Sequence, residues 1–169
     1  MEAKSLVQPL RLGGVRFLNT QPIISGLEVC DDICLTEAVP SGLINLLEQG
    51  EVDAALCSSI DYQQSTVPLV ILPAPSLGCI GATQTVRLYS TVPFETLDEV
   101  SCDSDSHTSV VLLQVLLREG YSRQVKVVPF DAEVENVEWP PAVMLIGDKV
   151  ISGSPPPGRY PYQMDLGEA

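Results

Sequence analysis

The chain has 169 residues, of which 45% are hydrophobic, and it carries a formal net charge of −13. This length and apolar content are enough to bury a core in one domain or two small lobes, and they exclude a disordered chain. The nine basic residues are spread from Lys4 to Arg159 without forming a stripe, so we predict neither nucleic acid nor an anionic membrane as a partner. No apolar run approaches the roughly 20 residues of a membrane-spanning helix, and no signal-peptide core is present, so we expect a cytoplasmic protein.

Alternating apolar and polar runs in the first half predict strands at residues 12–18, 33–38, 52–57 and 69–72. Between the second and third strands, Ser41 is placed to cap a helix with Leu43 on its apolar face, and Gly50 supplies a left-handed end. The run at 52–57 is apolar nearly throughout, which is typical of a strand buried on both faces of a sheet. This half is therefore predicted to be α/β.

The second half shows the same alternation. Strands are expected at residues 86–90, 100–102, 126–130 and 142–146, and a helix at 110–117 is expected to end near Gly120. An acidic loop spans 131–141, and a proline-rich passage leads to a short apolar stub near the end. We predict two lobes, residues 1–88 and 89–169, with the strand at 86–90 leaving the first lobe.

The five cysteines cannot all pair, and they lie in or near predicted strands, so reduced thiols are expected. Cys30 and Cys34 have the spacing of a metal-binding pair, but no second pair follows and His107 is the only histidine. We therefore predict no metal. Cys57 and Cys79 have no evident base beside them and are expected to serve packing.

Pairs of small polar residues follow or precede the predicted elements at three places. Hydroxyl, amide and backbone N–H groups at helix starts can hold carboxylates without any lysine or arginine. If the two lobes face each other, such groups line a cleft for a small anion. Turn formation and helix capping explain the serine and threonine pairs equally well. The pairs are Asn19 with Thr20, Ser58 with Ser59, and Thr108 with Ser109.

His107 has Asp103, Ser104 and Ser106 close by in the sequence, which suggests a hydrolase triad. Residues this close on one turn rarely align a nucleophile, a base and an orienting acid, and no G-x-S-x-G elbow is present. A hydrolase is therefore not predicted.

Six sequence blocks, in order, resemble a known enzyme family. They are VRFLNTQPIISGLE, VPSGLINLLEQGEVDAALCSSIDY, GATQTVRLYSTVP, DSDSHTSVVLLQVLL, MLIGDKV and YPYQMDLGE. Together they resemble MqnA, the chorismate dehydratase family of the futalosine route to menaquinone.

The resemblance implies a fold similar to type II periplasmic binding proteins, with two α/β lobes and the substrate in the cleft between them. It implies a carbon–oxygen lyase that removes water from chorismate to give 3-[(1-carboxyvinyl)oxy]benzoate, with no metal or organic cofactor. Family members are usually longer, so the first lobe is expected to be incomplete. Either a homodimer or another partner completes it, or the chain is an inactive fragment.

The motif positions assign six residues to the substrate. Asn19 and one of the serines would hydrogen-bond a carboxylate or the departing hydroxyl, and the α-helical start near Thr108 would hold the other carboxylate. No side chain is an evident base, so the enolpyruvyl carboxylate of chorismate itself is expected to take the proton. A non-catalytic module that binds a small anion remains the alternative. The assigned residues are Asn19 and Ser59 as catalytic, and Ser58, Thr85, Thr108 and Ser109 as substrate-binding, while Asp103 and Asp148 fit a structural role at least as well.

Overall fold

The computed structural model describes residues 8–152 and 155–169 of the chain. Helices and strands alternate, and the strands form two separate sheets, each of which contains parallel pairs. The predicted α/β class is thereby confirmed. The chain separates into two compact units, which adjoin in sequence between Ser76 and Leu77. No helix in the described part of the chain has both the length and the apolar character needed to span a bilayer.

The first unit contains a three-stranded parallel sheet with β1 in the centre, between β2 and β3. Three short helices connect or follow these strands. The strands are β1 (Leu10–Val15), β2 (Ile33–Ala38) and β3 (Ala54–Ala55), and the helices are α1 (Gln21–Ile24), α2 (Pro40–Glu48) and α3 (Ser59–Gln64).

Helix α2 approaches β1 closely at Gly13. A Cβ atom added to Gly13 would lie 2.8 Å from Leu43 Cδ2 and 2.9 Å from Ala55 Cβ, and Leu43 is fully buried. Only glycine therefore permits this packing of helix against sheet. Gly50 has φ of +68°, so the predicted left-handed end of the helix is confirmed.

Several predictions for the first unit are wrong. Ser41 does not cap α2, because Pro40 is already its first residue and Val39 precedes it without a side-chain cap. The first strand ends at Val15, since residues 18–20 turn into a 3-10 helix. The run at 52–57 contains a strand of only two residues and is not buried on both faces.

No strand forms at residues 69–72. Val70 is 83% exposed and Ile71 71% exposed, and prolines flank the run at positions 68 and 73. Proline has no N–H to donate, so it interrupts sheet pairing on both sides of this short apolar segment. An apolar segment forms a strand only where a neighbouring strand pairs with it, and none of the strands that the structure describes pairs with residues 69–72.

The second unit contains a five-stranded mixed sheet in the order β6-β5-β7-β4-β8. Strand β5 runs parallel to both of its neighbours, and β4 runs antiparallel to both of its own. The predicted strands at 86–90, 126–130 and 142–146 are confirmed at their expected bounds. The elements are β4 (Val86–Ser90), β5 (Glu99–Asp103), α4 (His107–Tyr121), β6 (Lys126–Phe130), β7 (Ala142–Ile146) and β8 (Tyr162–Asp165).

The core of the second unit covers both faces of β7, which is buried along its whole length. On one face, Tyr121 of α4 reaches β8, where its hydroxyl lies 3.9 Å from Met164 Sδ. On the other face, Tyr89 and Tyr160 pack with Val143 in a second apolar cluster. The helix extends one residue past Gly120, and the residue that follows it, Ser122, adopts φ of +53°.

Candidate functional site

In the first unit, the segments after β1 and β3 leave the sheet at the same edge, because these strands are parallel neighbours. Ligands in open α/β sheets bind beyond the carboxyl ends of such strands. Asn19 lies in the segment after β1 and is exposed, and its Oδ1 accepts a hydrogen bond from the Thr20 hydroxyl at 3.3 Å. Thr20 itself is fully buried. The side-chain amide of Asn19 is therefore exposed to solvent, and its oxygen is bonded to a buried neighbour.

The two serines after β3 differ in their contacts. Ser58 is the N-cap of α3: its hydroxyl donates to Asp61 Oδ2 at 2.6 Å and accepts from the Asp61 backbone N–H at 3.4 Å. Ser59 is exposed and begins the helix. The capping interpretation therefore holds for Ser58, and Ser59 is the serine whose hydroxyl faces solvent.

In the second unit, a buried lysine joins two acidic residues at the end of β5. Lys149 Nζ donates to Asp103 Oδ1 at 2.9 Å and to Asp105 Oδ2 at 2.7 Å, and Asp103 is only 1% exposed. Burial opposes the charge of Lys149, but the hydrogen bonds to Asp105 and Asp103 outweigh it and raise the pKa of the lysine. Burial raises the pKa of Asp103, the more buried of the two acids. Asp103 thus fills the structural role considered for it, tying the end of β5 to the segment after β7.

Helix α4 begins shortly after Asp105, one of the two acids bound to Lys149. Ser106 caps the helix, because its Oγ accepts the Ser109 backbone N–H at 3.1 Å and donates to Ser109 Oγ at 2.9 Å. Thr108 Oγ1 is buried and has no hydrogen-bond partner among the described residues. A buried hydroxyl without a partner costs free energy, so this group calls for an explanation outside the described residues.

Thr85 lies at the same edge of the second sheet. Its carbonyl oxygen accepts the Gly147 N–H at 2.7 Å, immediately after β7 ends, and Gly147 has φ of +61°. Its hydroxyl lies 3.4 Å from the Thr83 carbonyl oxygen, which is a weak contact. Thr85, the start of α4 and the segment with Lys149 all adjoin the carboxyl ends of β5 and β7. The topology therefore places these three segments of the second unit at one edge.

The carboxylate of Asp165 accepts hydrogen bonds from the turn that precedes Thr85. Asp165 accepts the backbone N–H groups of Thr83, Gln84 and Gly167 at 2.8, 2.7 and 2.9 Å. Burial works to raise the pKa of Asp165, but these N–H groups outweigh it and hold the pKa below its usual value. A Cβ atom at Gly167 would lie 2.3 Å from the Gly81 carbonyl oxygen, so the two backbone segments touch.

The hydrolase arrangement has no support in the geometry. Ser106 Oγ is occupied with Ser109, and Asp103 is paired with Lys149, while His107 lies exposed at the first position of α4. Nothing in this arrangement aligns a serine, the histidine and an acid.

The cysteines are free thiols in the structure. Burial, assisted by the nearby Asp61 charge, raises the pKa of Cys57 to about 11, so its nucleophilic thiolate form is scarce at neutral pH. Cys79 is exposed, and its thiol donates to the carbonyl oxygens of Gly81 and Ala82. The predicted packing role is therefore wrong for Cys79, because its whole segment is exposed. Among residues 8–152 and 155–169, no group of three histidine, cysteine or acidic side chains is arranged to hold a metal ion.

Comparison with known proteins identifies the family. A family model described as menaquinone biosynthesis matches residues 10–169. The chain belongs to this family. Together with the chorismate dehydratase relative described next, this match confirms the resemblance to MqnA proposed from the six sequence blocks.

A chorismate dehydratase from the bacterium Thermus thermophilus is 31% identical to this member of the menaquinone biosynthesis family over 150 residues. The match covers 86% of this chain and 53% of the Thermus protein. The chain thus spans about half the length of that relative.

Two solved structures show a more distant likeness. The ATP phosphoribosyl transferase (HisG:HisZ) complex from Thermotoga maritima gives a TM-score of 0.47 at 13% identity, covering 81% of this chain and 73% of that one. A periplasmic substrate-binding protein of an ABC transporter from Coxiella burnetii gives 0.47 at 14% identity, covering 92% and 79%. The α/β assignment rests on the sheet topology itself.

Sequence reasoning missed Lys149 and Asp165. Lys149 follows Asp148 in the LIGDK block, and a lysine directly after a buried strand in a chain with only nine basic residues was an available signal. Asp165 belongs to the DLG block, but two of its partners, Thr83 and Gln84, precede it by 82 and 81 positions. Neither pairing follows from local sequence pattern.

Proposed function

We propose that this chain is a chorismate dehydratase that eliminates water from chorismate and gives 3-[(1-carboxyvinyl)oxy]benzoate. The family match and the 31% identity to a chorismate dehydratase support the substrate and the reaction class. The structural observation that carries the proposal is the buried, unpartnered hydroxyl of Thr108 at the start of α4.

Thr108 and Ser109 would bind one carboxylate of chorismate. The Ser109 N–H is already capped by Ser106 Oγ, but the dipole of a 15-residue helix favours an anion at this end. A carboxylate there would accept the Thr108 hydroxyl and remove the cost of leaving it unpaired. Lys149 does not compete for the anion, because two aspartates already hold it.

Asn19 and Ser59 are the donors to the substrate that we assign in the first unit. Both side chains are exposed, and their segments leave the first sheet at one edge. Their amide and hydroxyl groups can donate to a carboxylate or to the departing hydroxyl. Ser58 would act through its backbone, since its hydroxyl is bound to Asp61.

The elimination needs only a proton acceptor and a stabilised leaving group. The C–H bond at the ring carbon bearing the enolpyruvyl ether breaks, its electrons form the new ring double bond, and the neighbouring hydroxyl leaves as water. The ring becomes aromatic, so the products are the enolpyruvyl benzoate and one water molecule. We assign the proton to the enolpyruvyl carboxylate, which the protein orients and which then passes the proton to the departing hydroxide, so that water leaves and the carboxylate is regenerated.

The direct test incubates the purified chain with chorismate and follows loss of the cyclohexadiene absorbance together with chromatographic appearance of the benzoate product. Turnover above the rate of the buffer alone is the expected result. If neither turnover nor binding is detected, this chain by itself is not a dehydratase.

Variants of Thr108 test the anion site. Thr108→Val keeps the shape of the side chain and removes the hydroxyl, so we expect KM to rise by about tenfold, the effect of losing one hydrogen bond to a charged group. Thr108→Ser should recover most of that loss. Thr36→Val, on the exposed side of β2, is the matched control and should leave KM unchanged.

Variants of Asn19 test the first unit. Asn19→Ala should lose far more activity than Asp148→Asn, because no step is assigned to Asp148. Asn45→Ala, on an exposed helical position, controls for loss of an amide in general. A ranking in which Asp148→Asn is the more damaging would reject the assigned proton acceptor.

One observation favours a second candidate, a non-catalytic module that binds a small anion. The side chains assigned to the substrate carry hydroxyl and amide groups, which can hold an anion but include no evident base. Binding of chorismate without turnover, measured by calorimetry under the same conditions, would favour this module over the enzyme.

A further inference from the structure

A cavity lies in the second unit, and none of the donors assigned to chorismate lines it. It has a volume of about 270 Å³, near the lower end of the range of about 300–1,000 Å³ for small-molecule sites. Arg87 and Tyr89 of β4 form its floor, with Gln163 of β8 beside them. Residues 155–157, three consecutive prolines, and Tyr160 form its walls.

The guanidinium of Arg87 in this cavity has an unused donor. Its Nε is buried and has no hydrogen-bond partner among the described residues. Asp165 lies directly opposite Arg87 in the register of β4 and β8, where a salt bridge would normally form. The Asp165 oxygens instead accept from Thr83, Gln84 and Gly167, so the nearest carboxylate in register is occupied.

The polar side chains of Tyr160 and Gln163 in the cavity already have partners within the chain. The Tyr160 hydroxyl donates to the Pro140 carbonyl oxygen at 2.5 Å, and the rings of Tyr160 and Tyr89 meet edge to face at 6.1 Å. Gln163 Nε2 donates to the Tyr160 carbonyl oxygen at 3.1 Å. The cavity therefore combines one arginine with aromatic and proline surfaces.

We propose that this cavity is a binding site for a small aromatic monocarboxylate. The planar fork of arginine matches a carboxylate, and the carboxylate would supply the acceptor that Arg87 Nε lacks. Tyrosine and proline surfaces suit a flat apolar ring. Phosphate suits the site poorly, because Tyr160 Oη and Gln163 Nε2 are already bonded within the chain and Arg87 alone leaves most phosphate oxygens without donors. The proposal is independent of the dehydratase reaction.

Benzoate is the probe for the test, and Trp139 is the reporter, because it is the only tryptophan and packs against the cluster containing Tyr89 and Tyr160. We expect benzoate to change the tryptophan fluorescence saturably. Benzyl alcohol, which has the same ring without the charge, should bind at least about tenfold more weakly, as should inorganic phosphate.

Arg87→Gln should lower the benzoate affinity at least about tenfold, and Arg87→Lys should recover only part of it, since lysine lacks the planar fork. Arg118→Gln, an exposed arginine on α4, is the matched control. Thr108→Val should leave this affinity unchanged, which separates the cavity from the anion site proposed for chorismate. Unchanged affinity in Arg87→Gln, or phosphate binding as tight as benzoate, would overturn the proposal.

A measurement on the unsubstituted chain tests the site even if the Arg87 variants fail to fold. In a ¹⁵N spectrum of the arginine side chains, benzoate should shift the Arg87 Nε–Hε resonance and leave that of Arg118 in place. Benzoate that shifts other signals but not Arg87 would refute the site.

Discussion

Asp165 Oδ1 accepts both the backbone N–H and the hydroxyl of Thr83, at 2.8 and 2.9 Å, across 82 positions of sequence. The same carboxylate also holds Gln84, whose φ of +61° is a left-handed conformation that few residues other than glycine adopt. Thr85 follows immediately. Asp165 is therefore a positioning residue for Thr85, and it is itself only 7% exposed.

Asp165→Asn should destabilise the second unit by about 1–3 kcal/mol, because an amide NH₂ would then face backbone N–H groups that need acceptors. Urea denaturation followed by tryptophan fluorescence gives the free energy of unfolding. Asp131→Asn, an exposed acid that accepts one backbone N–H from Glu133, is the control and should cost much less. Equal losses in the two variants would contradict the role of Asp165 in holding the turn before Thr85.

The stabilisation from Asp165 should depend on pH. Its native pKa is lowered, so the contribution is present above the unfolded-state pKa, near about 4, and is lost as pH falls through the lower native value. The stability difference between the unsubstituted chain and Asp165→Asn should therefore shrink below about pH 4. A difference that stays constant on acidification would show that the carboxylate charge has no part in it.

Lys149→Met should cost about 3–5 kcal/mol of unfolding free energy, because it leaves two acidic groups near the end of β5 without their shared cation. The comparison is Lys126→Met, whose lysine pairs with Glu99 but is 72% exposed. A surface pair of that kind contributes at most about 1 kcal/mol. Similar urea midpoints for the two variants would show that burial of the Lys149 pair has no energetic consequence.

Two glycine substitutions should have opposite signs. Gly13→Ala places a methyl group against Leu43 and Ala55 and should destabilise the chain by about 1–3 kcal/mol. Gly120→Ala lies in α4 with open space around the new methyl, and should stabilise by about 0.5–1 kcal/mol through helix propensity. The midpoint of thermal unfolding should fall for Gly13→Ala and rise for Gly120→Ala. A Gly13→Ala protein as stable as the unsubstituted chain would disprove the close approach of α2 to β1.

The cysteines should fall into two classes toward a thiol reagent such as DTNB. Cys34 and Cys79 are exposed and should react in the native protein. Burial and the adjacent Asp103 charge raise the pKa of Cys102 to about 12, so it should react only after unfolding. Peptide mapping of the modified sites at successive times distinguishes the classes, and early modification of Cys102 would be inconsistent with its burial.

Local pattern was enough to find much of the fold. The strands at 33–38, 86–90, 126–130 and 142–146 occur at their predicted bounds, because apolar periodicity and flanking turn residues coincide there. The run at 69–72 has comparable apolar character and forms no strand. Strand formation also requires a neighbour to receive the backbone hydrogen bonds, and local composition does not reveal whether one exists.

Local sequence pattern suggests candidate site residues only where they follow strand ends, and their assignment stays a prediction. Asn19, Ser59 and Thr108 stand out in the sequence for that reason, although the capping role of Ser58 was not separable from binding. Lys149 pairs with Asp103 across 46 positions because β5 and β7 happen to be neighbours. Such a pair follows from sheet order, which the separate elements do not specify.

The pairing of β4 with β8 has a consequence for biosynthesis. Residues 86–90 leave the ribosome before residues 142–146 and 162–165, so both edges of β4 stay unpaired until β7 and then β8 have been made. Pairing between segments so distant in the chain is slow to form. The nascent second unit therefore keeps an open strand edge during translation until residues 162–165 have been made.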